Sequence, residues 1–163
     1  MKGKLPPAKL LEPYTFYVER SLGGKVVPDA LVNAGLHIER HKEHFKHNAE
    51  DVEWLPFCGV RGWVVLTKDK AIRSNEVELI ALIRAGVATF VITSGEMTGE
   101  DMANAYIKAL PQIARFLKNK QRPFIARVSP EGEVTMWIDS SGKDHIQAAN
   151  ERNRKRNERR KKH

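Results

Sequence analysis

Five consecutive residues, Trp63-Val64-Val65-Leu66-Thr67, are apolar or β-branched at every position. Successive side chains of a strand point to opposite faces, so a strand of this composition needs cover on both sides. A sheet with one wetted face cannot supply that; helices above and below can. The rest of the chain is patterned to provide them. Strand-like runs recur at Thr15–Val18, Leu36–Ile38 and Thr89–Ile92, and helical spacing fills the intervals at Lys25–Asn33, Asp51–Phe57, Ser74–Arg84 and Thr98–Lys118. Gly35 and Gly86 stand where helix ends are expected, while Gly59 and Gly62 read as flanking a turn. Asn48 or Asp51, then Ser74, are candidate caps, and Thr98 with Asp101 forms a capping pair. Pro111 is placed to kink the longest helix. Two further strands, Pro123–Val128 and Val134–Ile138, are joined by Pro130-Glu131-Gly132 and predict a hairpin. Arg40–Ala49 is polar and His-rich and reads as a loop. Alternation of this kind predicts an α/β fold with a mainly parallel sheet covered by helices on both faces.

Charge is unevenly spread. The chain of 163 residues carries a formal +8, and residues 151–163 contain eight Arg or Lys against two Glu, so +6 sits in the last thirteen residues and +2 in the rest. Residues 141–163 therefore read as a basic C-terminal helix or tail, polar nearly all round, and residues 1–14 as a lead-in. Such a tail attracts polyanions without reading their sequence, unless it is only a solvated helix end. No apolar run approaches the roughly 18 residues of a membrane span. The N-terminus has no apolar signal core, and Cys58 is the one cysteine. The expectation is a cytoplasmic protein with no membrane partner.

Ligands of α/β sheets bind beyond the carboxyl ends of the strands. Glu19 follows the first strand, Asp69 follows the central one, and Asp51 and Glu76 begin the helices on either side of it. Like charges brought together repel unless a cation compensates them. Hard oxygen donors of this kind suit Mg²⁺ or Mn²⁺, which activate water and stabilise phosphodiester displacement. The alternative is that these acids merely complement helix dipoles. Thr67, Lys68, Lys70 and Arg73 beside the central acid favour a phosphodiester substrate.

Phe16-Tyr17-Val18-Glu19-Arg20-Ser21-Leu22-Gly23, Asp51-Val52-Glu53-Trp54-Leu55, and the stretch from Gly62 through Thr67-Lys68-Asp69-Lys70 to Arg73 and Glu76 resemble the first strand and central segment of PIN-like nuclease domains, above all those grouped with toxins of toxin–antitoxin pairs. The likeness runs over about residues 15–128. It implies a three-layer α/β/α PIN-like fold over residues 15–140 and a metal-dependent endoribonuclease using Mg²⁺ or Mn²⁺. RNA would be the substrate, and an antitoxin protein or a second copy of the chain a partner. By position Glu19, Asp51 and Asp69 match the acidic motif, with Glu76 a fourth member; Glu53 competes with Asp51 for the second place. The first acid of the family is usually Asp, and Glu19 keeps its charge on a longer arm. That departure motivates a second reading, a non-catalytic nucleic-acid or protein-binding module of the same fold.

Other chemistries find less support. His37, His41, His44 and His47 are spaced by four, three and three, but without a cysteine pair they make a weak zinc set. They read as lining a substrate groove or a partner surface, with His44 or His47 placed to assist proton transfer. Gly23-Gly24 lacks the phosphate-loop ending, and no serine stands in a nucleophile elbow.

Overall fold

The structure, a computed structural model, describes residues 6–46, 48–68, 76–93 and 95–162, with only the backbone described at 51, 52 and 78. Six strands form one sheet: β1 Thr15–Val18, β2 His37–Arg40, β3 Val64–Thr67, β4 Ala88–Ile92, β5 Phe124–Val128 and β6 Val134–Ile138. Their order is β2-β1-β3-β4-β5-β6, parallel throughout except for the antiparallel β5–β6 hairpin. The helices are α1 Pro7–Leu10, α2 Val26–Asn33, α3 His41–His44, α4 Asp51–Arg61, α5 Glu76–Ala85, α6 Gly99–Asn119 and α7 His145–Lys161.

Alternate strand residues feed two separate cores, as the period of two requires. Phe16, Val18, Val64, Leu66, Phe90, Ile92, Phe124 and Ala126 face α2 and α6. Tyr17, Val65, Val91 and Ile125 face Trp54, Leu55 and Cys58 of α4 and Leu82 of α5. The three-layer α/β/α architecture expected of the sequence is therefore present. Thr98 caps α6 reciprocally: its Oγ1 accepts from the Asp101 N–H at 3.1 Å, and Asp101 Oδ2 accepts from the Thr98 N–H at 3.1 Å. This helix runs through Pro111 unbroken to Asn119.

Four local expectations are corrected. The helix read as Asp51–Phe57 continues to Arg61, so Gly59 lies within it rather than at a turn. The reason is packing: a Cβ on Gly59 would stand 2.1 Å from the Ala85 carbonyl oxygen, so only glycine lets α4 and α5 approach this closely. Gly62, at φ 69°, provides the left-handed residue that ends the helix. The stretch read as a polar loop after Arg40 begins with α3, a single turn. The anticipated side-chain cap on α4 is also missing, for Glu50 occupies the N-cap position and makes no capping hydrogen bond. Ser74 lies outside the described residues. Residues 6–14 do more than lead in, since Leu11 is fully buried in the α6 core.

Candidate functional site

Strand order 2-1-3-4-5 reverses direction between β1 and β3, and the crevice outside their carboxyl ends is where such sheets bind ligands. Glu19 is the first residue past β1. Its N–H donates to the Leu66 carbonyl at 3.0 Å, so sheet pairing persists one residue beyond the strand and fixes the backbone of the acid. The chain then enters a 3-10 turn, Arg20–Leu22, which Glu19 caps by accepting from the Ser21 N–H at 3.1 Å through Oε2. Its other oxygen, Oε1, accepts from Ser21 Oγ at 2.5 Å and from Thr67 Oγ1 at 2.7 Å. Each hydroxyl has one proton to give. With both spent on Glu19, the 3.2 Å approach of Ser21 Oγ to Thr67 Oγ1 has no proton left of its own. Ser21 Oγ in turn accepts from the Lys68 N–H at 3.0 Å.

The carboxylate so held is only 3% exposed. Among the described residues the one cation within reach is Arg20, whose Nε lies 3.9 Å from Oε2 and whose side chain is half exposed. Below this cluster, the Tyr106 hydroxyl of α6 links the end of β3 to the middle of β4, facing the Phe90 carbonyl at 2.8 Å and the Thr67 carbonyl at 3.1 Å. Burial pushes the Tyr106 phenol well above its ordinary value, and the nearby Glu19 charge pushes the same way, so the hydroxyl stays protonated and donates.

Of the residues singled out in the sequence, Glu19, Thr67 and the Lys68 backbone are thus joined in one hydrogen-bonded unit. The backbone of Asp51 starts α4, which runs opposite to the parallel strands and so begins at the crevice end of the sheet. Glu76 starts α5 at the same end and is exposed. Asp69, Lys70 and Arg73 lie outside the described residues, as does the Asp51 side chain. Among the described residues no three His, Cys, Asp or Glu side chains stand close enough to share a metal ion.

Among the described residues the histidines form no common metal-binding group. His41 is buried rather than groove-lining: its Nε2 faces the Lys46 carbonyl at 2.9 Å and its Nδ1 faces the Tyr17 hydroxyl. A carbonyl only accepts, so Nε2 carries a proton, and both ring nitrogens are engaged within the fold. His44 Nε2 meets Glu39 Oε2 at 2.7 Å, His37 is exposed, and His47 lies outside the described residues. Beside the acid, a cavity of about 230 Å³ opens between the ends of β1 and β2, lined by Val18, Arg20, Gly23, Gly24, Arg40 and Lys42 with His41. Arg40 is fixed there by Asp29 Oδ1 at 2.7 Å and the Gly24 carbonyl at 3.1 Å. Ser21 and Tyr106, which pack about Glu19 and Thr67, are the neighbours that sequence reasoning did not single out for this site. Ser21 stands two residues from Glu19 and was visible in principle as a turn-capping neighbour. Tyr106 carries only the spacing of a core helix.

Comparison with known proteins identifies relatives of the chain. The family described as "PIN like domain" matches residues 15–94, which span β1 through β4. A Mycobacterium tuberculosis (strain ATCC 25618 / H37Rv) protein named "Putative ribonuclease VapC45" is 32% identical over 118 residues, covering 70% of this chain and 85% of that protein. No solved structure matches the chain significantly.

Proposed function

The chain belongs to the PIN-like domain family, and on that footing we propose that it is a metal-dependent endoribonuclease that hydrolyses RNA phosphodiester bonds in the crevice between β1 and β3. The observation that carries the reading is the buried Glu19 carboxylate at the topological switch point, ringed by the hydroxyls of Ser21 and Thr67. A buried carboxylate is costly without a compensating charge, and half-exposed Arg20 at 3.9 Å is a weak one. A donor set of carboxylate and hydroxyl oxygens fits a hard divalent cation. Glu19, Asp51 and Asp69 would hold Mg²⁺ or Mn²⁺, with Glu76 at the next helix start as a fourth acid. When bound, such an ion supplies an activated water and offsets charge on the scissile phosphate.

The chain's own residues do the positioning. Ser21 and Thr67 present Glu19 in one rotamer by donating to the same oxygen, while among the described residues Oε2 meets the Ser21 N–H and, more distantly, Arg20. Tyr106 ties the end of β3 to the middle of β4 beneath the crevice. Lys68, Lys70 and Arg73 would contact substrate phosphates on the exposed side. By analogy with its VapC-named relative, the chain would be the toxin of a toxin–antitoxin pair, with a small antitoxin protein as its partner.

The test is RNA cleavage with added Mg²⁺ or Mn²⁺ by the wild type, Asp69→Asn and Glu19→Gln, each checked for folding by circular dichroism. Loss of either charge should reduce cleavage by about 100-fold or more, since even the outer partners of metal ligands are worth about 10- to 100-fold. Equal cleavage by all three would reject the site. Absence of calorimetric binding at millimolar Mg²⁺ and Mn²⁺ would favour the second reading, a PIN-like binding module without catalysis, which the longer arm of Glu19 favours.

A further inference from the structure

We infer that α7 is an arm that grips RNA by its phosphate backbone outside the crevice. The choice of RNA rests on the nuclease reading above; the arm itself rests on independent observations. Strand β6 runs antiparallel to β5, so it ends at the edge of the sheet opposite the crevice, and α7 starts there. The start is fastened. Asp144 caps it by accepting from the Gln147 N–H at 2.9 Å, His145 meets Asp139 at 2.7 Å, and Ile146 packs against the α4–α5 core. From Asn150 to Lys162 every residue is exposed, and among the described residues no core residue packs against this stretch. A helix of 17 residues is about 25 Å long, so most of this one projects from the body.

The projecting part is not uniformly charged. Arg152, Lys155, Arg156, Arg159 and Arg160 follow the spacing i, i+3, i+4, i+7, i+8 and share one face. Glu151 and Glu158 stand seven residues apart on another. Among the described residues none of the eight cations from Arg152 to Lys162 is paired with an acid; Arg156 donates to Asn153 Oδ1 at 2.7 Å. Like charges three and four residues apart repel and weaken the helix that carries them. With no packing to offset this, the segment is most stable when a polyanion lies along the stripe.

The composition also says which polyanion. Asn150–Lys162 contains no apolar residue. A protein interface draws its energy from buried apolar and aromatic anchors, and a membrane-surface helix needs an apolar face to insert. A phosphodiester backbone needs neither, since its binding comes from phosphate contacts and counterion release. The occupant is therefore a stretch of substrate RNA distant from the scissile bond, held without regard to its sequence.

The experiment measures binding of a fluorescein-labelled single-stranded RNA of about 20 nucleotides to the full chain in EDTA, by anisotropy over a salt series. Each phosphate contact to a single strand contributes about 0.7 to the slope of log affinity against log salt. The variant Arg152→Gln/Lys155→Gln/Arg156→Gln/Arg159→Gln should lower the slope by about 3 and weaken binding steeply at low salt. It removes only exposed side chains, so folding is not at stake. The off-stripe variant Arg154→Gln/Lys161→Gln should lose less per charge removed, and RNA should raise the helical circular dichroism of the wild type but not of the stripe variant. An unchanged slope, equal loss per charge in both variants, or equal competition by polyglutamate would each overturn the assignment, the last in favour of an acidic protein partner. Because binding is read in EDTA and cleavage separately with Mg²⁺ or Mn²⁺ added, arm binding with no cleavage in the metal assay would sink the nuclease reading alone, and cleavage with no arm binding would sink the arm alone.

Discussion

Replacing Thr67 by Val tests whether the hydroxyl ring around Glu19 is an energetic unit. The substitution keeps shape and burial at a position with no exposed surface, but removes the 2.7 Å donation to Oε1. A hydrogen bond to a charged group contributes about 1.5–3 kcal/mol, because the acceptor left behind stays desolvated. For a chain of this size that corresponds to a fall in Tm of about 3–12 °C. The Tyr106 hydrogen bond goes to the Thr67 backbone and survives the change. The decisive measurement is a double-mutant cycle by urea unfolding. In a Glu19→Gln background the acceptor is neutral, so Thr67→Val should cost only about 0.5–1.5 kcal/mol, a coupling near 1 kcal/mol. A cost below about 0.5 kcal/mol in the wild type, or an equal cost in both backgrounds, would refute the reasoning.

Two further expectations concern groups displaced from their ordinary titration. Cys58 is fully buried, and burial pushes its thiol up to about 12 against the opposing pull of Arg61. The native protein should therefore resist iodoacetamide at pH 8 and react only as urea unfolds it; stoichiometric alkylation of folded protein would contradict the packing of α4. Asp139 is held well below the usual carboxylate range, first by the Ser141 hydroxyl at 2.6 Å and then by His145. A depressed folded value stabilises above the unfolded one and is lost as pH falls through the folded one, so the fastening of α7 should loosen on acidification below about pH 4. Amide exchange at the start of α7 should show this in the wild type and not in Asp139→Asn; identical acid profiles would remove the role.

How much of this was legible in the sequence depends on whether the cause is local. Trp63–Thr67 announced a strand covered on both faces because five residues in a row needed burial, and the reciprocal Thr98–Asp101 cap announced α6 through side chains three residues apart. From those and the alternation, the sheet and its crevice followed, and with them Glu19 and Thr67 at one edge. What failed depends on distant partners. Gly59 is a helix residue because of Ala85, and no pattern near Gly59 encodes that. His41 looked like part of a surface cluster because its neighbours are histidines, yet its place is set by Tyr17, 24 residues away. The roles of Ser21 and Tyr106 likewise appear only when the Glu19 turn, β3 and α6 meet.

The contact between Gly59 and Ala85 has a reach out of proportion to its size. Both residues sit near the far ends of their helices, whereas Asp51 and Glu76 stand at the near ends, at the mouth of the crevice. At 1.5 Å per residue the two rods extend about 12 and 14 Å from that pivot. Any side chain wedged there would tilt both rods and swing their opposite tips, shifting the backbone starts of α4 and α5 without touching either. The relative position of the two helix starts is thus gauged, in part, by a hydrogen atom near their opposite ends.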